Sequence, residues 1–242
     1  MVTGAGRNVG QAIAERFVAA GANVVIAERD SSRGSQLARQ LNDHRAGAAR
    51  FIPTDVADEH SVAAMVEASL AAFGSIDVLV NNVAATDRGH TVLDLDLDVW
   101  NDVLRVTLTS AYLCTKHVGA AMKARGGGCI VNIGSTSAHV GRGNAVAYGV
   151  AKAGLMALTR SCAAQLGQFG VRVNTVSPNK VGSPVGEDQE PVDRQRDNAL
   201  GRGATPDDIA GAVLFMASES AGFVTGAELL VDGGALLRSG SA

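Results

Sequence analysis

The sequence contains no apolar run of eighteen residues, the length at which a stretch begins to read as a membrane-spanning helix. Its first residues also lack the basic, apolar and small-residue succession of a secretory signal. A cytoplasmic location is therefore expected, with no membrane partner. Cysteine is scarce: Cys114, Cys129 and Cys162 are odd in number and widely spaced. That excludes a disulfide framework, and buried thiols are the expected use. Dense basic tracts are absent too, and the formal net charge is −3. Nothing here supplies the electrostatic footprint of a nucleic-acid binder. No linker or internal repeat divides the 242 residues, a length that suits one α/β domain. No metal site is expected.

What is present is apolar and rhythmic. Hydrophobic residues make up 46% of the chain, enough for a sizeable core. Short runs rich in Val and Ile read as buried strands: Asn23–Ala27, Ala49–Ile52, Ile76–Val80, Cys129–Ile133, Val171–Val176 and Glu228–Val231. Between them, helical periodicity covers Gln11–Ala20, Ser31–Asn42, Glu59–Phe73, Val99–Lys123, Ala147–Phe169 and Asp207–Ser218. Pro206 and two following aspartates make a good helix opening. This alternation predicts a doubly wound parallel sheet covered on both faces. The polar stretch from Gly182 to Thr205 breaks the rhythm and reads as a long functional loop. Only Met1 and Val2 precede the first glycine-rich turn, so the first, central strand looks truncated. Either the numbering begins late or part of that strand is lacking.

The turn itself reads VTGAGRNVG from Val2 to Gly10. Glycines at 4, 6 and 10 ahead of an amphipathic helix allow backbone to approach a pyrophosphate. The spacing departs from G-x-G-x-x-G, because Val9 stands at the ninth position. Glu28 follows 18 residues after Gly10, at a strand end. An acid there binds the ribose hydroxyls of NAD and repels a 2′-phosphate. Arg7 and Arg29 argue for NADP, since either can pair with that phosphate. NAD is favoured over NADP. Asp55, with Val56 beside it, is placed to accept a bond from adenine or to serve only as a turn residue. Asn81 follows the strand IDVLV, where sheet and cofactor would meet.

Ser135, Tyr148 and Lys152 carry the chemistry. Ser135 follows the strand CIVNI, at the carboxyl end of the sheet. Tyr148 and Lys152 are four apart on one helical face. A neighbouring ammonium favours the phenolate, which lets tyrosine exchange a proton with an alcohol or ketone.

The motifs together resemble the short-chain dehydrogenase/reductase family over nearly the whole chain. They are TGAGRNVG at Thr3–Gly10, Asp55, NNVA at Asn81–Ala84, NIGS at Asn132–Ser135, AYGVAK at Ala147–Lys152, RVNTVSPN at Arg172–Asn179 and VDGG at Val231–Gly234. The resemblance implies one Rossmann-type domain with a seven-stranded parallel sheet. It implies Tyr148 as catalytic acid/base, Lys152 as its partner and ribose binder, and Ser135 as the group that holds the substrate oxygen. Thr3, Gly4, Asn8 and Gly10 would line the pyrophosphate turn. Asn81 and Asp55 would bind the cofactor, and Val181 and Ser183 would meet the nicotinamide. A homodimer or homotetramer is implied, with the loop before the sixth helix selecting the substrate.

Four positions depart from the family pattern. Asn8, Ala84 and Asn179 stand where glycines are usual. Thr107 stands where the family places an asparagine that holds a water beside the lysine. The expected activity is hydride transfer between nicotinamide and a secondary alcohol or ketone. A non-catalytic nucleotide-binding protein on the same fold and a 3-oxoacyl thioester reductase are the alternatives.

Overall fold

A computed structural model describes residues 1–181, 185 and 198–237. The remaining residues include Ser183 and most of the loop assigned to substrate selection, so those assignments lie outside the described residues. The β-branched runs form β1 (Val2–Thr3), β2 (Val24–Glu28), β3 (Ala49–Pro53), β4 (Val78–Asn81), β5 (Gly128–Ile133), β6 (Val171–Pro178) and β7 (Glu228–Val231). They make one seven-stranded sheet of order β3-β2-β1-β4-β5-β6-β7. Every pairing is parallel. This is the single-domain Rossmann-type architecture that the sequence predicts, short first strand included.

Helices cover both faces because the strands are apolar on both. On one side α1 (Asn8–Ala19), α2 (Ser31–His44) and α7 (Pro206–Ala217) bury Ile13, Phe17, Leu37, Leu41 and Ile209. On the other, α3 (Glu59–Phe73), α5 (Ser110–Arg125) and α6 (Val146–Leu166) contribute Val62, Met65, Leu113, Val118 and Ala163. Local signals fix the helix ends. Asp58 caps α3 through the His60 and Ser61 N–H groups, and Gly74 closes it at φ 76°. Such a cap contributes about 1 kcal/mol. The helix opening expected at Pro206 and its two aspartates is present, and Thr205 and Asp208 add a capping box around it.

One helix differs from expectation. The run read as Val99–Lys123 is α4 (Leu97–Leu104), a π-helical turn (Arg105–Thr109) and then α5. A π turn inserts one residue per turn, and apolar periodicity over so short a span does not register it. The turn carries Thr107, whose surroundings are described below.

Two-residue β1 pairs with Ile26 and Ala27 on one side and Val80 on the other. Below Met1, a space of about 310 Å³ opens among Phe17, Val24, Phe73, Ile76 and Val78. The three cysteines are free thiols, with Cys114 and Cys129 buried. Among the described residues, no helix is long and apolar enough to cross a membrane.

Candidate cofactor groove and active site

The chain leaves β1, winds β2 and β3 to one side, then crosses to β4 on the other. That reversal opens a crevice beyond the carboxyl ends of β1 and β4, where open α/β sheets bind ligands. The crevice is a groove of about 920 Å³. Gly4, Arg7, Asn8, Gly10, Glu28, Arg29, Asp55, Val56, Tyr148, Lys152 and Val181 all line it.

The glycine-rich turn is shaped by contact as much as by torsion. Gly4 has φ 61°, and a Cβ at Gly10 would stand 2.3 Å from the Gly4 carbonyl oxygen. Helix α1 can approach the turn only because position 10 has no side chain. Asn8 has φ 51°, a left-handed conformation that asparagine tolerates, so it replaces the usual glycine without breaking the turn. Ala84 and Asn179 are not among the positive-φ residues, so neither departure strains the backbone. The first turn of α1 has no acidic residue, and Arg7 at its N-cap makes no side-chain cap bond. Its amides are left for an anion.

Glu28 is fixed by three backbone donors. Its Oε2 accepts from Gly6 N at 3.0 Å, and its Oε1 accepts from Arg29 N at 2.9 Å and Asp30 N at 3.1 Å. A carboxylate offers about four acceptor positions, so capacity remains for a ribose hydroxyl. Asp55 Oδ1 accepts from Ala57 N at 2.9 Å, the turn role weighed for it. Thr3 is buried and holds β4, donating to the Val80 carbonyl and accepting from Asn82 N. Asn81 Nδ2 donates to Asn132 Oδ1 at 2.8 Å. Its Oδ1 is buried without a partner among the described residues. A glycine cradle and a fixed acid on one groove fit an adenine dinucleotide.

Tyr148 and Lys152 lie one turn apart on α6, both buried. Burial pushes the Tyr148 phenol above its ordinary pKa, while the Ser135 hydroxyl and the Arg142 charge pull it back. Desolvation brings Lys152 down to about 7. Its Nζ donates to the Ile133 carbonyl at 2.6 Å and lies 5.6 Å from the Tyr148 ring centre. Ser135 Oγ donates to Ser137 Oγ at 3.0 Å and accepts from Ser137 N at 3.1 Å. Thr107 is buried, and its hydroxyl clamps Ala85, accepting from its N–H at 3.0 Å and donating to its carbonyl at 3.1 Å. The hydroxyl proton is therefore engaged, leaving an acceptor position for a water.

Asp87, Ser137 and Arg142 went unnoticed in the sequence. The Asp87 carboxylate is buried and accepts from Ala147 N at 2.8 Å and Tyr148 N at 3.0 Å. It caps the helix that carries Tyr148 from 61 residues away, a distance at which no local pattern operates. Arg142 Nη1 donates to Ser137 Oγ at 2.5 Å. The only signal for either was position inside the gap between Ser135 and Tyr148.

Known proteins match this chain over nearly its whole length. The family model described as enoyl-(acyl carrier protein) reductase matches residues 4–235. The cis-4-hydroxycyclohexanecarboxylate dehydrogenase of Sinomonas cyclohexanicum is 41% identical, over 97% of this chain and 94% of that protein. The L-rhamnose 1-dehydrogenase (NAD(P)(+)) of Azotobacter vinelandii is 39% identical, over 97% and 94%. A crystal structure of a short-chain dehydrogenase/reductase from Burkholderia xenovorans superposes with a TM-score of 0.91 at 38% identity, covering 99% of this chain and 96% of that one. The chain belongs to the short-chain dehydrogenase/reductase family and is an NAD(P)-dependent oxidoreductase.

Proposed function

We propose that this oxidoreductase interconverts a secondary alcohol and its ketone, with Tyr148 carrying the proton. The observation behind this reading is a buried phenol beside the Ser135 hydroxyl, with Lys152 one helical turn further on. A nicotinamide cofactor in the groove supplies the hydride donor and acceptor. Ser135 holds the substrate oxygen by exchanging its bond to Ser137 for one to the substrate. Tyr148 gives its proton to the ketone oxygen or takes one from the alcohol. Lys152 holds the ribose and brings positive charge toward the phenol. Asp87 keeps Tyr148 in place through the backbone of α6. Gly4, Asn8 and Gly10 seat the pyrophosphate, and Asn81 and Val181 border the nicotinamide end.

Cofactor-absorbance assays against ring hydroxy acids, sugars, polyols, steroids and oxoacyl thioesters test the reading. Turnover of at least one secondary alcohol or ketone is expected. A protein that binds cofactor and turns over none of them would instead be the non-catalytic binder.

Glu28 supports NAD as the preferred partner. Its carboxylate is anchored by backbone donors and cannot swing away from a 2′-phosphate. Glu28→Gln removes the charge, and the NADP-to-NAD ratio of kcat/KM is expected to rise about 10-fold or more, where each tenfold step is ~1.4 kcal/mol. An unchanged ratio rejects Glu28 as the selector.

A further inference from the structure

The proposed chemistry gives the charge of Arg142 no task. Arg142 sits in the glycine-flanked loop between Ser135 and Tyr148. Its guanidinium is pinned to Ser137 Oγ at 2.5 Å, and Ser137 Oγ in turn accepts from Ser135 Oγ at 3.0 Å. The charge is thus held two hydrogen bonds from the hydroxyl that would carry the substrate oxygen. It is also close enough to act on the Tyr148 phenol.

Neighbouring charges are already matched. His139 meets Glu228 at 2.8 Å, and Arg105 meets Asp102 at 2.7 Å. Asp87 is buried against the amides of α6. Arg142 meets no carboxylate among the described residues. A guanidinium presents five N–H donors in a planar fork, and the bond to Ser137 leaves most of them available. Pinning a long, exposed side chain in one position costs rotamer entropy, which solvent contact alone does not recover.

We propose that Arg142 binds a carboxylate carried by the substrate, so that the alcohols this enzyme oxidises are hydroxy acids and the ketones it reduces are oxo acids. A single guanidinium balances a monoanion, and its fork matches the two oxygens of a carboxylate. Two hydrogen bonds separate this donor from Ser135, so several carbon atoms lie between the hydroxyl and the carboxylate of the substrate. The assignment rests on Ser135 and Tyr148 holding the reacting oxygen.

The test compares kcat/KM for 4-hydroxycyclohexanecarboxylate and 5-hydroxyhexanoate with that for their neutral carboxamides. Wild-type enzyme is expected to prefer the acid of at least one pair by about 10- to 100-fold, the span of a charge-assisted hydrogen bond. Arg142→Gln should collapse that ratio toward one, mainly through KM, and Arg142→Lys should restore part of it. A variant that slows acid and amide equally leaves the ratio intact. That outcome overturns the proposal, makes Arg142 a positioning residue for Ser137, and leaves the dehydrogenase reading standing. Turnover of no alcohol at all removes the dehydrogenase reading instead. Calorimetry with cyclohexanecarboxylate on the NAD-loaded protein then decides the anion site. Weaker binding in Arg142→Gln upholds it, and equal or absent binding in both proteins overturns it.

Discussion

Tyr148→Phe should lower turnover by about 10²- to 10⁴-fold, the usual contribution of a positioned acid/base, while NAD still binds. The substitution removes one oxygen and keeps the ring that packs among Ala147, Ala151 and Val103. Stability should therefore hold, and an intact melting curve separates lost chemistry from lost fold. The pH profile sharpens the test. Burial raises the phenol's pKa, so Tyr148 keeps its proton at neutral pH and serves ketone reduction directly. Alcohol oxidation needs the phenolate and should accelerate as pH rises into the alkaline range. Tyr148→Phe should abolish that alkaline rise along with the rate. A variant with full activity, or with the same alkaline limb, would sink the assignment of Tyr148.

Lys152→Met should make the protein more stable and much less active. Lys152 is buried, and desolvation lowers its pKa from 10.5 to about 7. Between those two values the unfolded chain binds a proton that the folded chain does not, so stability rises with pH across that window. Below pH 7 both states are charged, and the whole desolvation cost falls on the fold. Methionine removes that cost, which places the gain at about 1–4 kcal/mol. Loss of the bond to the Ile133 carbonyl takes back about 1 kcal/mol. The gain should be largest below pH 7 and shrink toward pH 10, as read by denaturant unfolding in a pH series. Activity should fall by about 10²-fold or more, since the ribose contact and positive charge proposed for Lys152 are both lost. A variant less stable than wild type at pH 6 would show that the ammonium is compensated in the fold, contrary to its environment here.

The Lys152 substitution describes a site that the fold carries at a cost. The buried amine is desolvated beside Tyr148, where the groove meets α6. Active sites commonly trade stability in this way.

Much of this was legible in the chain. Short continuous Val- and Ile-rich runs mark the strands, and a period of 3.6 residues marks the helices between them, both within a local window. Glu59–Phe73 is found at its expected bounds because Asp58 and Gly74 mark both ends within the segment. The four-residue step from Tyr148 to Lys152 dictates a shared face, and the helix shows it. Glycine at positions 4 and 10 announces a close turn, and the contacts a Cβ would make there explain why.

Other features depended on neighbours that no local window contains. The π turn at Arg105–Thr109 leaves the apolar pattern almost unchanged, yet it delivers Thr107 to the Ala85 backbone. Asp87 reads as a loop acid until the sheet brings it under the first turn of α6. Arg142 gives no local signal, and only the fold brings it to Ser137, which Ser135 also meets. The sequence by itself determined the element order, the cofactor turn and the Tyr148–Lys152 pair, because each depends on backbone conformation and short-range spacing. Only the tertiary structure decided which buried groups meet across the sheet, what Thr107 binds, and what holds Arg142. Those depend on contacts that the folded chain brings together, where geometry rather than local propensity selects the partner.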